Sequence, residues 1–478
     1  MDNKIFLWLH MHQPDYQESI TNKIILPWVR RHSLNGYYSV PKLLKDSSFK
    51  ANINFSGILL EQLKRYIDGE KDYFQILEEK DPEYLSPSEK QFIFLKFNVP
   101  ITFKNETFLK LKEKIKYREK LTNSEILDYQ TIFKLSAFSP LDEEVIELRK
   151  KGSNFTKDDK KTLINLETRI IRELFGLYIG LLKRKQIEIT VTPFHHPILP
   201  LLLDINSAKK SKETAIVPDI VTGFINDANW HIKQSIKIAE EIFGITPQGM
   251  WPAEGSISDE TIDLLKENGI KWIGSDELLV KPFNLSQGIY SYKDMTLFLR
   301  NHSVSDKIGF VYNKMKPPEA INDLKNEAKM NKKLILILDG ENPWEYFPDY
   351  GIDFLKSFFG SFKETDTLLG SEGVASVKLS NIKPGSWING YFDTWVGDEE
   401  SNTAWMHLTE VRNEVSKNDL LNEIYRAEAS DYFWWYSDFH KNEVGFEFDS
   451  LFRSRLIKSL LLEGKEVKDF LLFPIKRR

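Results

Sequence analysis

Seven short strand-like runs punctuate this chain: IFLWLH (5–10), ANINFS (51–56), IEITVT (187–192), GMW (249–251), IKWIG (270–274), MTLFLR (295–300) and LILILD (334–339). Segments with helical spacing of apolar residues separate most of them. Strands alternating with helices predict a parallel sheet or a barrel, and thus an α/β fold. Several runs are apolar at consecutive positions, as strands buried on both faces require.

The spacing of the runs is uneven. The stretch between the second and third is rich in Lys and Glu, as in FLKLKEKIKYREK (108–120) and DEEVIELRKKGSNFTKDDKK (142–161). It reads as a helical insertion over about residues 65–180. Both signs of charge mix there, which predicts a solvated face rather than a binding patch. Beyond residue 400 the strand pattern stops. AWMHLTEVRNEVSK, DLLNEIYRAEASDYFWWYSDF and DSLFRSRLIKSLLLEG repeat apolar residues every three or four positions, predicting helices. The expected division is a barrel over 1–380 that carries the insertion and a helical region over 381–478 packed on it.

Composition narrows the classes of function. A net charge of -5 argues against general nucleic-acid binding. The chain has no Cys, which removes thiolate zinc sites, disulfides and cysteine nucleophiles. No stretch of ~18 apolar residues exists to span a membrane, and MDNKIFLWLHMHQP lacks the apolar core of a signal peptide. A cytoplasmic protein is the expectation. The chain carries 11 Trp, 18 Tyr and 32 Phe, which fits a large aromatic core and also fits stacking on sugars. No phosphate-binding Gly-rich loop and no GxSxG elbow is present.

In a parallel barrel the reactive groups gather on the loops after the strands, and here titratable residues follow run after run. The first run leads into His10, His12 and Gln13; the third into His195 and His196. Glu254 follows the fourth and Asp276 and Glu277 the fifth. Arg300, His302 and Asp306 follow the sixth, and Asp339 and Glu341, with Trp344 beyond, the seventh. Asp339 is not needed as a helix cap, because the next expected helix starts near Asp349. Glu254 precedes a helix, SISDETIDLLKENG, that Ser258 already caps. It is therefore a candidate nucleophile, stiffened by Trp251 and Pro252. His10, His12, His302, Asp276 and Asp306 could form a metal-ligand set. Without thiolates or an HExxH helix, hydrogen bonding to substrate or carboxylate is the better reading, and no metal or other cofactor is expected.

HMHQPDY (10–16), EITVTPFHHPILPLL (188–202), GMWPAEGSIS (249–258), LILDGENPWE (336–345) and GSWINGYFDTWVGDEESNTAW (385–405) resemble the five signature regions of glycoside hydrolase family 57, closest to its amylopullulanase and α-amylase branch. The resemblance implies a catalytic (β/α)7 barrel, a distorted relative of the TIM barrel, followed by a helical region. It implies retaining hydrolysis of α-glucans such as starch, glycogen or maltooligosaccharides. The family's nucleophile falls on Glu254 and its acid/base on Asp339. His12 falls close to the reaction centre and Trp251 on a sugar contact. His10, Gln13, Asp276, His302, Asp306, Glu341, Trp344, Trp387 and Trp395 are the further candidate substrate contacts. Asn301 and Val304 replace the Asp and Leu usual in the sixth-run motif, and His195 is unusual in the second region. These departures bear on subsite preference.

Retention needs Asp339 protonated and Glu254 ionised, with Trp344 expected to wall Asp339 and the charge of Glu254 to raise it further. A 4-α-glucanotransferase or branching enzyme would use the same intermediate with a sugar as acceptor. A catalytically idle glucan-binding protein and a metal-dependent deacetylase on a similar barrel are the readings from other classes. No membrane or nucleic-acid partner is expected.

Overall fold

Each of the seven runs forms a strand in the computed structural model, which describes residues 3–375, 377–417, 420–440 and 444–477. They are β1 (Lys4–Met11), β2 (Ala51–Ser56), β3 (Ile187–Thr192), β4 (Gly249–Met250), β5 (Trp272–Asp276), β7 (Met295–Arg300) and β8 (Lys333–Asp339). They lie in the order β8-β1-β2-β3-β4-β5-β7, every neighbouring pair parallel. The ring closes between β7 and β8. There Asn301 N–H donates to the Ile335 carbonyl at 2.8 Å. The Gln287 side chain serves as a further rung, donating to the Lys333 carbonyl at 2.8 Å and accepting from Ile335 N–H at 3.2 Å. The result is the expected (β/α)7 barrel.

Two strands were not expected. β6 (Gly288–Tyr292) pairs antiparallel with β7, and β9 (Val377–Lys378) runs parallel to β6 at the edge. The β6–β7 hairpin turns on Lys293 and Asp294, both at positive φ. That is the two-residue geometry matched to strand twist, here built without the Asn-Gly or Asp-Gly signature.

Alternation along the strands separates two cores. In β1, Ile5, Leu7, Leu9 and Met11 pack outward beneath the helices, while Phe6 and Trp8 point into the barrel. Inside they join Trp251, Trp272, Phe298, Ile335, Ile337 and Trp387 in an aromatic plug. Gly274 makes room for it, since a Cβ there would lie 2.4 Å from the Trp8 ring and 2.9 Å from that of Trp251. The period of two then puts His10 one step above Trp8, and Asp339 one step above Ile337. The plug is the floor on which the polar residues stand.

Between β2 and β3 the chain forms seven helices, ending in the long Lys157–Lys183. Most of the charges of 108–120 and 142–161 face solvent, but Lys160 is buried. The fully buried Arg30 of helix Trp28–Ser33 meets Asp72 at 2.7 Å, Glu78 at 2.7 Å and Glu167 at 2.6 Å. Lys134 contacts Glu78 and Glu167. Removing one member of such a cluster strands the others without solvent. Arg30→Met is therefore expected to destabilise the protein by about 3–5 kcal/mol, read as a lower midpoint in chemical denaturation.

After the barrel come helices Glu399–Glu414, Asn422–Ala427, Ser430–Tyr436 and Val444–Glu463. Asp419, the first residue of the second expected helical stretch, lies outside the described residues. These helices are locked to the start of the chain by buried ions. Arg426 pairs with Asp15, and Arg455 lies 3.1 Å from both Asp15 and Glu423. Among the described residues, no helix is long and apolar enough to cross a membrane.

Candidate active site

Glu254 sits on a tight 3-10 turn, Ala253–Gly255, directly after β4. Its φ of 57° is left-handed, as is that of Gly255 at 58°. A non-glycine residue held there costs about 1–3 kcal/mol and needs surrounding contacts to fix it. Those contacts are present. Gly255 N–H donates to the Pro252 carbonyl at 2.8 Å, and Trp387 N–H to the Glu254 carbonyl at 3.0 Å. Ser275 Oγ donates to the Gly255 carbonyl at 2.6 Å. The Trp387 indole Nε1–H then donates to Glu254 Oε2 at 2.7 Å. As expected, the following helix is capped by Ser258, which accepts from Thr261 N–H at 3.2 Å, so Glu254 has no capping duty.

Asp339 ends β8, in register with His10 of β1. It caps no helix: the short helix Asn342–Glu345, nearer than the one expected at Asp349, has no side-chain cap. Instead Asp339 Oδ2 accepts from Asn342 Nδ2 at 3.0 Å.

Burial raises both carboxyls. Glu254 is pushed up to about 8, chiefly by desolvation, with the charges of Asp339 and Asp431 adding to the rise and the Trp387 hydrogen bond opposing it. Asp339 is also raised by burial, opposed by Asn342, Arg300 and His12. The expected effect of the Glu254 charge on Asp339 runs the other way: the charge of Asp339 lifts Glu254, while Arg300 and His12 draw Asp339 down. Trp344 packs instead against Phe347, Phe354 and Gly36.

A chain of imidazoles lies beside the carboxyls, and its tautomers follow from its ends. Asn54 Oδ1 must accept from His10 Nδ1, at 2.6 Å, because the Asn54 amide nitrogen donates to Thr190 at 3.0 Å. His10 Nε2 is then the acceptor for His196 Nε2–H at 3.1 Å. His196 Nδ1 in turn accepts from Ser430 Oγ at 2.8 Å and stands 3.9 Å from Glu254 Oε1. Burial holds His10 down at about 3 and His196 well below the ordinary imidazole range, so both are neutral. His12 contacts Ser56 Oγ through Nδ1 at 2.8 Å and Asp431 through Nε2 at 3.1 Å.

The other candidate contacts divide. Asp276, Arg300, His302 and Asp306 form one charged group: Asp276 Oδ2 lies 2.8 Å from Arg300 Nε and 3.0 Å from His302 Nδ1, and Asp306 lies 2.5 Å from Arg300 and 3.3 Å from His302. Glu341 is buried, accepts from His12 N–H at 3.0 Å and from Tyr37 OH, and is raised well above the usual carboxyl range by burial. Gln13 accepts from Tyr16 OH at 2.9 Å. Trp387 touches Glu254 as described. Trp251, Trp344 and Trp395 correct the expectation of sugar contacts: their relative exposures are 0%, 1% and 0%, so none presents a ring face for stacking. Trp251 belongs to the plug, 5.1 Å from the Trp387 ring.

The metal set weighed from the sequence is not gathered into one group among the described residues. His10 and His12 stack with His196, while His302, Asp276 and Asp306 satisfy one another around Arg300. Among the described residues, the group with donor atoms close enough for an ion is His12, His196 and Asp431. The rings of His12 and His196 stack at 3.9 Å and 10°. Lone pairs in parallel ring planes do not converge on one ion, so these residues do not fit a metal as they stand.

Two of the departures in sequence, Asn301 and His195, have local explanations. Asn301 caps helix His302–Phe310, accepting from Val304 N–H at 2.9 Å, a duty Asn and Asp share. His195 is buried and stacks parallel to Trp230 at 5.9 Å. Asp398, Glu399 and Glu400 hold the chain's last helices and segments, through Asp438 N–H, Arg477 and Lys476.

Sequence reasoning missed Ser430 and Asp431. They sit in AEASDYFWWYSDFH (427–440), and a polar pair at a helix start looks like a cap. Only the fold brings them to His196 and His12.

The comparisons with known proteins bear on the family and the fold. The family model for glycosyl hydrolase family 57 matches residues 6–380. Alpha-amylase 1 of Dictyoglomus thermophilum is 26% identical over 197 residues, which cover 39% of this chain and 26% of that protein. The chain thus spans about a quarter of that relative's length. Among solved structures, an α-amylase from Thermotoga maritima superposes with a TM-score of 0.61 at 12% identity, covering 99% of this chain and 96% of that one. A branching enzyme of the same family from Thermococcus kodakaraensis gives 0.60 at 14% identity, covering 99% and 93%. A 4-alpha-glucanotransferase from Thermococcus litoralis gives 0.56 at 16% identity, covering 96% and 60%. These three share the fold. With the matched model covering most of its length, this chain belongs to glycosyl hydrolase family 57.

Proposed function

We propose that the protein is a retaining α-glucan hydrolase of the α-amylase or amylopullulanase type. Residues 1–380 form its catalytic barrel, and 381–478 complete the cleft. One observation carries the reading: a carboxylate clamped in a left-handed turn, Glu254, stands within electrostatic reach of a second half-buried carboxyl, Asp339, at the same barrel end. Glu254 attacks the anomeric carbon as Asp339 gives its proton to the leaving oxygen. Asp339 then takes a proton from water, which releases the sugar from Glu254. The reaction needs a bias toward a protonated Asp339 and an ionised Glu254. The glycosidic oxygen, placed to accept from Asp339, supplies that bias. The lack of cysteine suits a cytoplasmic setting.

Incubation with maltoheptaose tests the reading. Hydrolysis raises reducing ends in step with shorter products. Redistributed chain lengths at constant reducing ends would give the acceptor role to a sugar, as in a glucanotransferase. Unchanged maltoheptaose, amylose and pullulan across pH would overturn the enzyme reading altogether.

Asp431 orients His12 in this scheme. A catalytic group misplaced by about 1 Å can lose on the order of 10²-fold in rate. Asp431→Ala is expected to lower kcat by about that factor with little change in thermal midpoint, measured on the same oligosaccharide.

A further inference from the structure

We propose that Arg300 is a positioning residue that couples the two carboxyls, seating the Trp387 indole on Glu254 while its charge faces Asp339. The guanidinium is nearly buried and held from two sides. Asp276, its register partner across β5 and β7, lies 2.8 Å from Nε, and Asp306 lies 2.5 Å from Nη2. Its Cζ stands 5.0 Å from the centre of the Trp387 ring. That ring donates to Glu254 Oε2 at 2.7 Å. On its other side Arg300 Nη1 reaches the Ile337 carbonyl at 3.4 Å, one inward step below Asp339. It thus crosses the seam where β7 and β8 share few backbone bonds.

Each part of this arrangement uses a property of arginine. A planar guanidinium can stack on indole and fork to two carboxylates at once, whereas a lysine ammonium keeps the charge and loses the plane. The charged and titratable groups around Arg300 are Asp276, Asp306 and His302, with Glu277 accepting from His302 N–H at 3.2 Å. Asp339 feels Arg300 and His12, while Glu254 faces Asp339, Asp431 and His196. Arg300 is the cation common to the Trp387 seat and the Asp339 wall.

The inference rests on Glu254 and Asp339 as the reacting carboxyls. Its test compares Arg300→Lys, Arg300→Met, Trp387→Phe and the Arg300→Lys/Trp387→Phe double variant, in the full chain on maltoheptaose. The bell of kcat/KM against pH belongs to the carboxyl pair as a unit. Losing the cation in Arg300→Met is expected to displace the bell upward by half a pH unit or more. Arg300→Lys should leave the bell in place but lower its height about tenfold, because the indole loses its seat. Adding Trp387→Phe to that variant should then cost much less than Trp387→Phe alone. An unmoved bell in Arg300→Met with additive losses in the double variant would reduce Arg300 to a seam in the barrel. Should neither arginine variant fold, Asp306→Asn with Trp387→Phe reads the same coupling: non-additive losses support it and additive ones overturn it. A fully active Glu254→Gln would instead remove the carboxyl assignment beneath it.

Discussion

Glu254→Gln is expected to lose turnover by on the order of 10⁴-fold or more, because no other group can hold the sugar between the two steps. It is also expected to gain stability. Gln keeps the shape and can still accept from Trp387 Nε1. In the wild type the carboxyl is raised from an ordinary 4.5 to about 8 in the folded protein. Between those values the folded state binds a proton that the unfolded state has released, so stability falls as pH rises through that window. Gln titrates nowhere and escapes this loss. The variant's thermal midpoint should match the wild type near pH 4, exceed it increasingly up to about pH 8, and stay above it beyond. A dead variant with this widening gap supports both the role and the raised carboxyl. A variant with wild-type rates would remove the nucleophile assignment.

The second large effect is at Asp339. A positioned general acid contributes roughly 10²–10⁴-fold, so Asp339→Asn should lose about that much on maltoheptaose. The size of the loss should depend on the leaving group. A substituted phenol departs without a proton, so an activated aryl α-maltooligoside should still load Glu254 at near wild-type rates. Release then stalls for want of a base, giving a burst of phenol followed by slow turnover in stopped-flow. Added azide, which needs no deprotonation, should speed the slow phase. Equal losses on both substrates, with no burst, would move the acid role away from Asp339.

These residues were visible in the sequence for a physical reason. An apolar run ends where the strand leaves the core, and the first polar residue after it lies at the mouth. LILILD points to Asp339 and GMWPAE to Glu254 on that logic alone. The seven barrel strands were legible for the same reason. β6, GIYSY, was not: it is short, partly exposed, and turns on Lys293-Asp294, a pair without the glycine that marks such a turn. The aromatic contacts misled because a Trp near a signature carboxyl can face either way. Trp251 faces down into the plug, which only the barrel's alternation and the space at Gly274 reveal. Asp431 was illegible because nothing in a helical segment announces which strand it will meet. The electrostatics of Asp339 depend on Arg300 and His12, which come from distant parts of the chain.

The contact between His12 and Asp431 joins residues 419 positions apart. At ribosomal speeds of ~5–20 residues per second, His12 emerges roughly 20–80 s before its partner is made. Through that interval the barrel strands, both carboxyls and two histidines of the stack have been synthesised, yet the site lacks its last wall. On the proposed function, a chain that has not yet added its Asp431 helix is expected to work far below the full rate, so that full activity begins as a late event of folding rather than growing with the length of the chain.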